Sequence, residues 1–252
     1  GRTVQIWETG SGKTLAALKP AGRPLAFSPD GKVLALGSLQ LASASPPRFT
    51  ASLEPGGQVG AAAFSQDGTR LVAGTHIGGV SVWDLKTPGR PTALAGGGLP
   101  VRAVAFSPDG NRVAATGYDE AVRIWDGSEL VATLPAFSCP SANSIAFSPD
   151  GKLLAAGSQC GELRVWDAVT YGGTVLRRSP EALAAIAPSR SGPVALGFSA
   201  GEVEILTAGA SVVNRWKAGA AGLRALAFSP DGKRVATAGP DHSVRLWDPA
   251  SA

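Results

Sequence analysis

Two short markers recur along this 252-residue chain in fixed register, and that register constrains the fold more than any other feature. Phe-Ser-Pro-Asp-Gly begins at Phe27, Phe106, Phe147 and Phe228, a variant Phe-Ser-Gln-Asp-Gly begins at Phe64, and a worn Pro-Ser-Arg-Ser-Gly begins at Pro188. Successive starts lie 37, 42, 41, 41 and 40 residues apart. Trp-Asp begins at Trp83, Trp125, Trp166 and Trp247, each time 19 residues after the Phe of its own repeat, and Trp7-Glu8 is a near copy at the start. A period of this length marks an architecture made by stacking one supersecondary unit, because a single unit cannot bury its apolar faces alone.

One unit is readable between Val101 and Pro135. Val101–Phe106, Asn111–Thr116, Ala121–Asp126 and Leu130–Leu134 have strand chemistry. In the turn Ser107-Pro108-Asp109-Gly110, Pro presets its own φ, Asp bonds the local backbone and Gly accepts positive φ. Gly117-Tyr118-Asp119-Glu120 turns the chain again. Four antiparallel strands per repeat, apolar on both faces, predict sheets that cover one another around a ring. Small Ala and Gly residues suit the inner strands, and the Trp of strand three supplies bulk between sheets.

These markers resemble the WD-repeat β-propeller family over nearly the whole chain. The resemblance implies an all-β fold, a single β-propeller domain of about six four-stranded antiparallel blades with partial blades at both termini. The partial blades fall at 1–20 and 219–252, and the repeats at about 21–55, 56–96, 97–135, 136–178 and 179–218. Two departures stand out. Gly96-Gly97-Gly98 occupies the place of the family's Gly-His pair, so its hydrogen-bonded set of His, Ser/Thr, Asp and Trp is incomplete. Parts persist as Asp119 with Thr116 and Trp125, and as Asp241 with Trp247. In the repeat near Arg23, Pro46-Pro47 interrupts the expected third strand. The strand count is 25 where six blades take 24, so Val4–Trp7 and Val244–Trp247 compete for one slot. A chain opening in mid-repeat without Met reads as a processed chain or a piece of a longer one, near-closed in shape.

Composition narrows the function. No apolar run approaches the roughly 18 residues of a membrane-spanning helix, and no leader peptide is visible at the start. The formal charge of +4 is small and its Lys and Arg are dispersed, with Arg177-Arg178 an adjacent basic pair on an outer strand, which argues against nucleic acid. The Ala, Gly and Arg content hints at a bacterial source. Cys139 and Cys160 form no disulfide framework and fit a reducing, cytoplasmic setting, yet the topology puts both on one rim, so their pairing stays open. Gly10-Ser11-Gly12-Lys13-Thr14 ends like a phosphate-binding loop but has Trp7 where that motif needs Gly, and it falls in a strand-to-strand turn. Gly157-Ser-Gln-Cys-Gly161 carries Gln where a nucleophile elbow needs Ser. His76 and His242 lie in second-to-third strand turns of different blades and have no metal-ligating partners in sequence. The expectation is therefore no catalytic residue, no metal and no cofactor.

Aligning the repeats yields a candidate partner-binding face. Four residues before each turn marker stand Arg23, Gly60, Arg102, Asn143, Ala184 and Arg224, near the entrance of a central channel. The family resemblance adds the second-to-third strand turns as docking surfaces, here His76, Tyr118, Gln159 and His242. Three arginines around one mouth suit a carboxylate, a phosphate or an acidic peptide. The reading is a non-enzymatic interaction scaffold or adaptor, a monomeric domain that holds a protein or acidic peptide without nucleic acid or membrane. The alternative is a propeller that binds a small anionic ligand or hydrolyses a substrate through its channel.

Overall fold

Runs of Val, Ala, Leu and aromatic residues between Gly- and Asp-bearing turns become strands throughout, 25 of them in the computed structural model, and no helix occurs among the described residues. The structure describes residues 3–8, 11–19, 24–44, 46–87, 89–135, 137, 139, 141–189, 192–207, 211–219 and 222–251. β1 (Val4–Trp7) and β2 (Thr14–Leu18) form a two-stranded sheet. The first complete blade holds β3 (Pro24–Phe27), β4 (Val33–Leu36), β5 (Gln40–Ala44) and β6 (Pro47–Ser52). The second holds β7 (Val59–Phe64), β8 (Arg70–Thr75), β9 (Val80–Asp84) and β10 (Thr92–Leu94). The third holds β11 (Val101–Phe106), β12 (Arg112–Gly117), β13 (Ala121–Asp126) and β14 (Glu129–Pro135). The fourth holds β15 (Ala142–Phe147), β16 (Leu153–Ser158), β17 (Glu162–Asp167) and β18 (Gly173–Arg178). The fifth holds β19 (Leu183–Pro188), β20 (Val194–Phe198), β21 (Glu202–Leu206) and β22 (Val212–Lys217). β23 (Ala225–Phe228), β24 (Val235–Ala238) and β25 (Val244–Trp247) form a closing three-stranded sheet. The molecule is thus an all-β propeller of about six four-stranded antiparallel blades, five of them complete, with partial blades at both ends.

The first strands β3, β7, β11, β15, β19 and β23 neighbour one another in succession and surround the axis. The second, third and fourth blades each pack a third-strand Trp against the blade before. Trp83 meets Ala35, Leu39 and Leu41, Trp125 meets Val72, Val80 and Leu94, and Trp166 meets Val122, Ile124 and Leu134. In the closing sheet Trp247 meets Trp216 of the fifth blade with ring centroids 6.0 Å apart. Glycine permits close approach at these seams: a Cβ on Gly74 would run into the Val101 side chain of the next blade.

Two details differ from the sequence reading. In the first complete blade the turn after β4 is short and Leu39 takes φ 51°, so the third strand ends at Ala44. Pro46 then lies in a turn and Pro47 begins the fourth strand, on the outer side where a missing N–H is tolerated. At the ends, β1 and β25 belong to separate sheets and do not share a slot. Trp7, Phe27, Val244 and Leu246 accordingly remain exposed. The Gly12–Lys13 segment forms the β1–β2 turn, with Gly12 N–H bonded to the Glu8 carbonyl.

Candidate docking face at the channel mouth

The position four residues before each turn marker is a β-bulge in four blades. Register shifts between Val59 and Ala61, Val101 and Ala103, Ala142 and Ser144, and Leu183 and Ala185 leave Gly60, Arg102, Asn143 and Ala184 unopposed in their ladders. A bulge bends the strand and re-aims the extra side chain, here Arg102 and Asn143 towards the second-to-third strand turn. In three consecutive blades the bulged residue meets the turn residue sixteen positions later. Gly60 lies beneath the His76 ring, and a Cβ there would run into the Val101 carbonyl of the next blade. The Arg102 guanidinium sits 5.4 Å from the centroid of the Tyr118 ring. Gln159 donates through Nε2 to Asn143 Oδ1 at 3.3 Å, and Ser141 donates to the same oxygen at 3.2 Å.

Arg102, Tyr118, His76 and Gln159 are exposed and Asn143 is half-buried. Among the described residues no salt bridge engages Arg102 or Arg224. The structure brings His76, Arg102, Tyr118, Asn143 and Gln159 into one arc. It does not bring in His242 as an equivalent of His76. His242 lies two positions farther round its turn, at φ 60°, where other blades carry Gly78 at φ 88° and Glu120 at φ 55°. Pro240 takes the Tyr118 place in that blade, so Arg224 stands without an aromatic platform. Arg23 lies outside the described residues.

The sulfurs of Cys139 and Cys160 are bonded, with Cα atoms 6.4 Å apart. This bridge ties the segment entering β15 to the β16–β17 turn, beside the Asn143–Gln159 pair. Behind the face, the incomplete family hydrogen-bond set is rebuilt with arginine. Arg123 pairs with Asp119, and Arg245 with Asp241 at 2.7 Å. The Arg245 hydrogen bond, followed by that of Ser243, lowers Asp241 to about 2. Trp125 Nε1 donates to the Ala95 carbonyl at 2.8 Å rather than to Thr116, whereas Trp247 Nε1 donates to Thr237 Oγ1 at 2.8 Å. Gly97, in the place of the family's His, lies so close to the Gly78 carbonyl that no side chain fits.

A family model described as WD domain, G-beta repeat matches residues 92–126, 128–167 and 211–248. Each matched stretch starts on an outer strand and ends at the third strand of the next sheet, so the sequence repeat and the blade are offset by one strand. No curated protein matches the chain. Among solved structures, a chain of the crystal structure of the mitotic checkpoint complex superposes with a TM-score of 0.83 and 20% identity, covering 98% of this chain and 81% of that one. Likeness at this identity speaks to the fold and leaves function to the residues of the site.

Proposed function

We propose that this chain, three stretches of which match the WD domain family model, is a non-catalytic scaffold or adaptor that holds a protein partner, docking an acidic segment of it on the Arg102 face. The observation that carries this reading is the Arg102–Tyr118 stack. It places an exposed guanidinium on a bulge, over an aromatic ring, with no carboxylate engaged among the described residues. Stacking holds the planar fork in place, so less side-chain entropy is lost when it meets a carboxylate. Arg and Tyr are also the residue types that most often anchor interfaces. Asn143 and Gln159 extend the face with amide groups that both donate and accept.

The experiment is an array of acidic and charge-neutral peptides probed with the purified chain, with affinities of retained sequences measured by anisotropy. Binding should weaken with salt, since exposed charges are screened. Arg102→Glu combined with Tyr118→Ala should weaken it about tenfold or more. Arg178→Glu, on an outer strand, should leave it unchanged. Equal retention by the face variant and the parent, at equal folding by circular dichroism, would discard this face.

A further inference from the structure

The seam between the fourth and fifth blades lacks the two aromatic side chains that fill its counterparts. In the fourth blade Phe147 pairs with Leu154 and Leu154 with Trp166. In the fifth, Pro188 pairs with Val194 and Val194 with Leu206. Pro188 and Leu206 therefore stand where Phe and Trp stand in the second, third and fourth blades and in the closing sheet. Trp83, Trp125 and Trp166 are at most 3% exposed in their seams, so the substitution removes large, fully packed groups.

The opposite wall departs as well. Leu153 opposes Asp167 in the register at which Arg70 opposes Asp84 and Arg112 opposes Asp126. Arg70 lies 5.5 Å over the Phe106 ring of the next blade, and Arg112 reaches the Ala168 carbonyl of the next blade. At the fourth seam an apolar Leu153 faces a proline instead. The blades do not close over the deficit, and a cleft of about 640 Å³ opens between them on the rim opposite the Arg102 face.

That volume falls within the roughly 300–1,000 Å³ of small-ligand sites. The walls are apolar, with Leu153, Leu163 and Val165 on one side and Ile186, Val194 and Leu206 on the other. No cation lines the cleft among the described residues. Its lining carboxylate, Asp150, already accepts from the Ser148 hydroxyl at 2.6 Å and the Lys152 N–H at 3.1 Å. The charge pattern therefore favours a neutral ligand, and the walls offer few of the polar partners that ordered water requires. We propose that this cleft binds an uncharged planar aromatic group of indole or phenyl size, seated where the other blades seat their own Trp and Phe.

The test titrates the chain with indole and, separately, with N-acetyl-tryptophanamide, following the methyl resonances of Leu163, Val165, Val194 and Leu206. Saturable shifts of this set are expected. Shifts with indole alone assign a free aromatic compound, and shifts with the amide assign a tryptophan side chain of a polypeptide. Leu206→Trp should refill the cleft from within, raise Tm and abolish the shifts. Leu153→Arg restores the charge found in other blades at a partly exposed position, and should weaken binding about tenfold or more. No saturable shift with either probe, or undiminished binding to both variants, would overturn the assignment.

Discussion

Ser65 is fully buried, and its hydroxyl organises the turn that follows. It donates to Asp67 Oδ1 at 2.5 Å and accepts the Arg70 N–H at 2.9 Å, while Gly68 supplies φ 71°. Ser28, Ser107, Ser148 and Ser229 repeat the arrangement with Asp30, Asp109, Asp150 and Asp231. The Ser hydroxyl is the largest cause holding these five carboxylates below their ordinary 3.8. A carboxyl whose folded pKa is depressed contributes stability above its unfolded value and loses it as pH falls through the folded one. Tm should therefore be level near neutrality and decline once pH drops below 3.8, and a pH series of thermal melts checks this. Ser65→Ala leaves the partly buried Arg70 N–H without its hydroxyl partner and should cost about 1 kcal/mol in urea unfolding. The Ser-Pro-Asp-Gly string made this turn legible from residue types alone. The bulge at Arg102 was not, since nothing in Val101–Phe106 announces an extra residue, and that His242 lies two positions past the place of His76 within its second-to-third strand turn follows from strand register.

At the scale of the blade, the locked spacing of Phe and Trp sufficed to place the third strands, because any other register would expose the indole. It also marked the fifth blade as worn at Pro188. What the sequence left hidden was the consequence of that wear, since the volume of a seam depends on both walls and Leu153 attracts no notice until it is set against Arg70 and Arg112. Packing differences between the indoles are large enough to measure. Trp125→Ala removes a side chain that is 1% exposed and should cost about 3–5 kcal/mol. Trp7→Ala removes one that is 45% exposed, and should cost under about 1 kcal/mol. Equal urea midpoints for the two variants would contradict the seam packing described above. At the outer edge of the fourth seam, Glu204 is wholly buried between Arg177 of one blade and Arg215 of its own. This ion pair ties together two blades that lack the usual aromatic contact.

Over the whole molecule the blades interact with their neighbours, so stability is close to a sum of local terms. The seams also have a direction, because the third-strand indoles Trp83, Trp125, Trp166 and Trp247 lean on the blade that precedes them in the chain. Removing residues 179–252 should leave Trp83, Trp125 and Trp166 buried, with their fluorescence emission unshifted. Removing residues 1–96 takes Val72, Val80 and Leu94 away from Trp125 and should shift emission to the red. That polarity has a consequence for biogenesis. Synthesis runs from the N-terminus, so Trp83, Trp125, Trp166 and Trp247 each meet a surface that is already folded. The nascent chain then assembles by successive docking, with its greasiest side chains covered as they emerge.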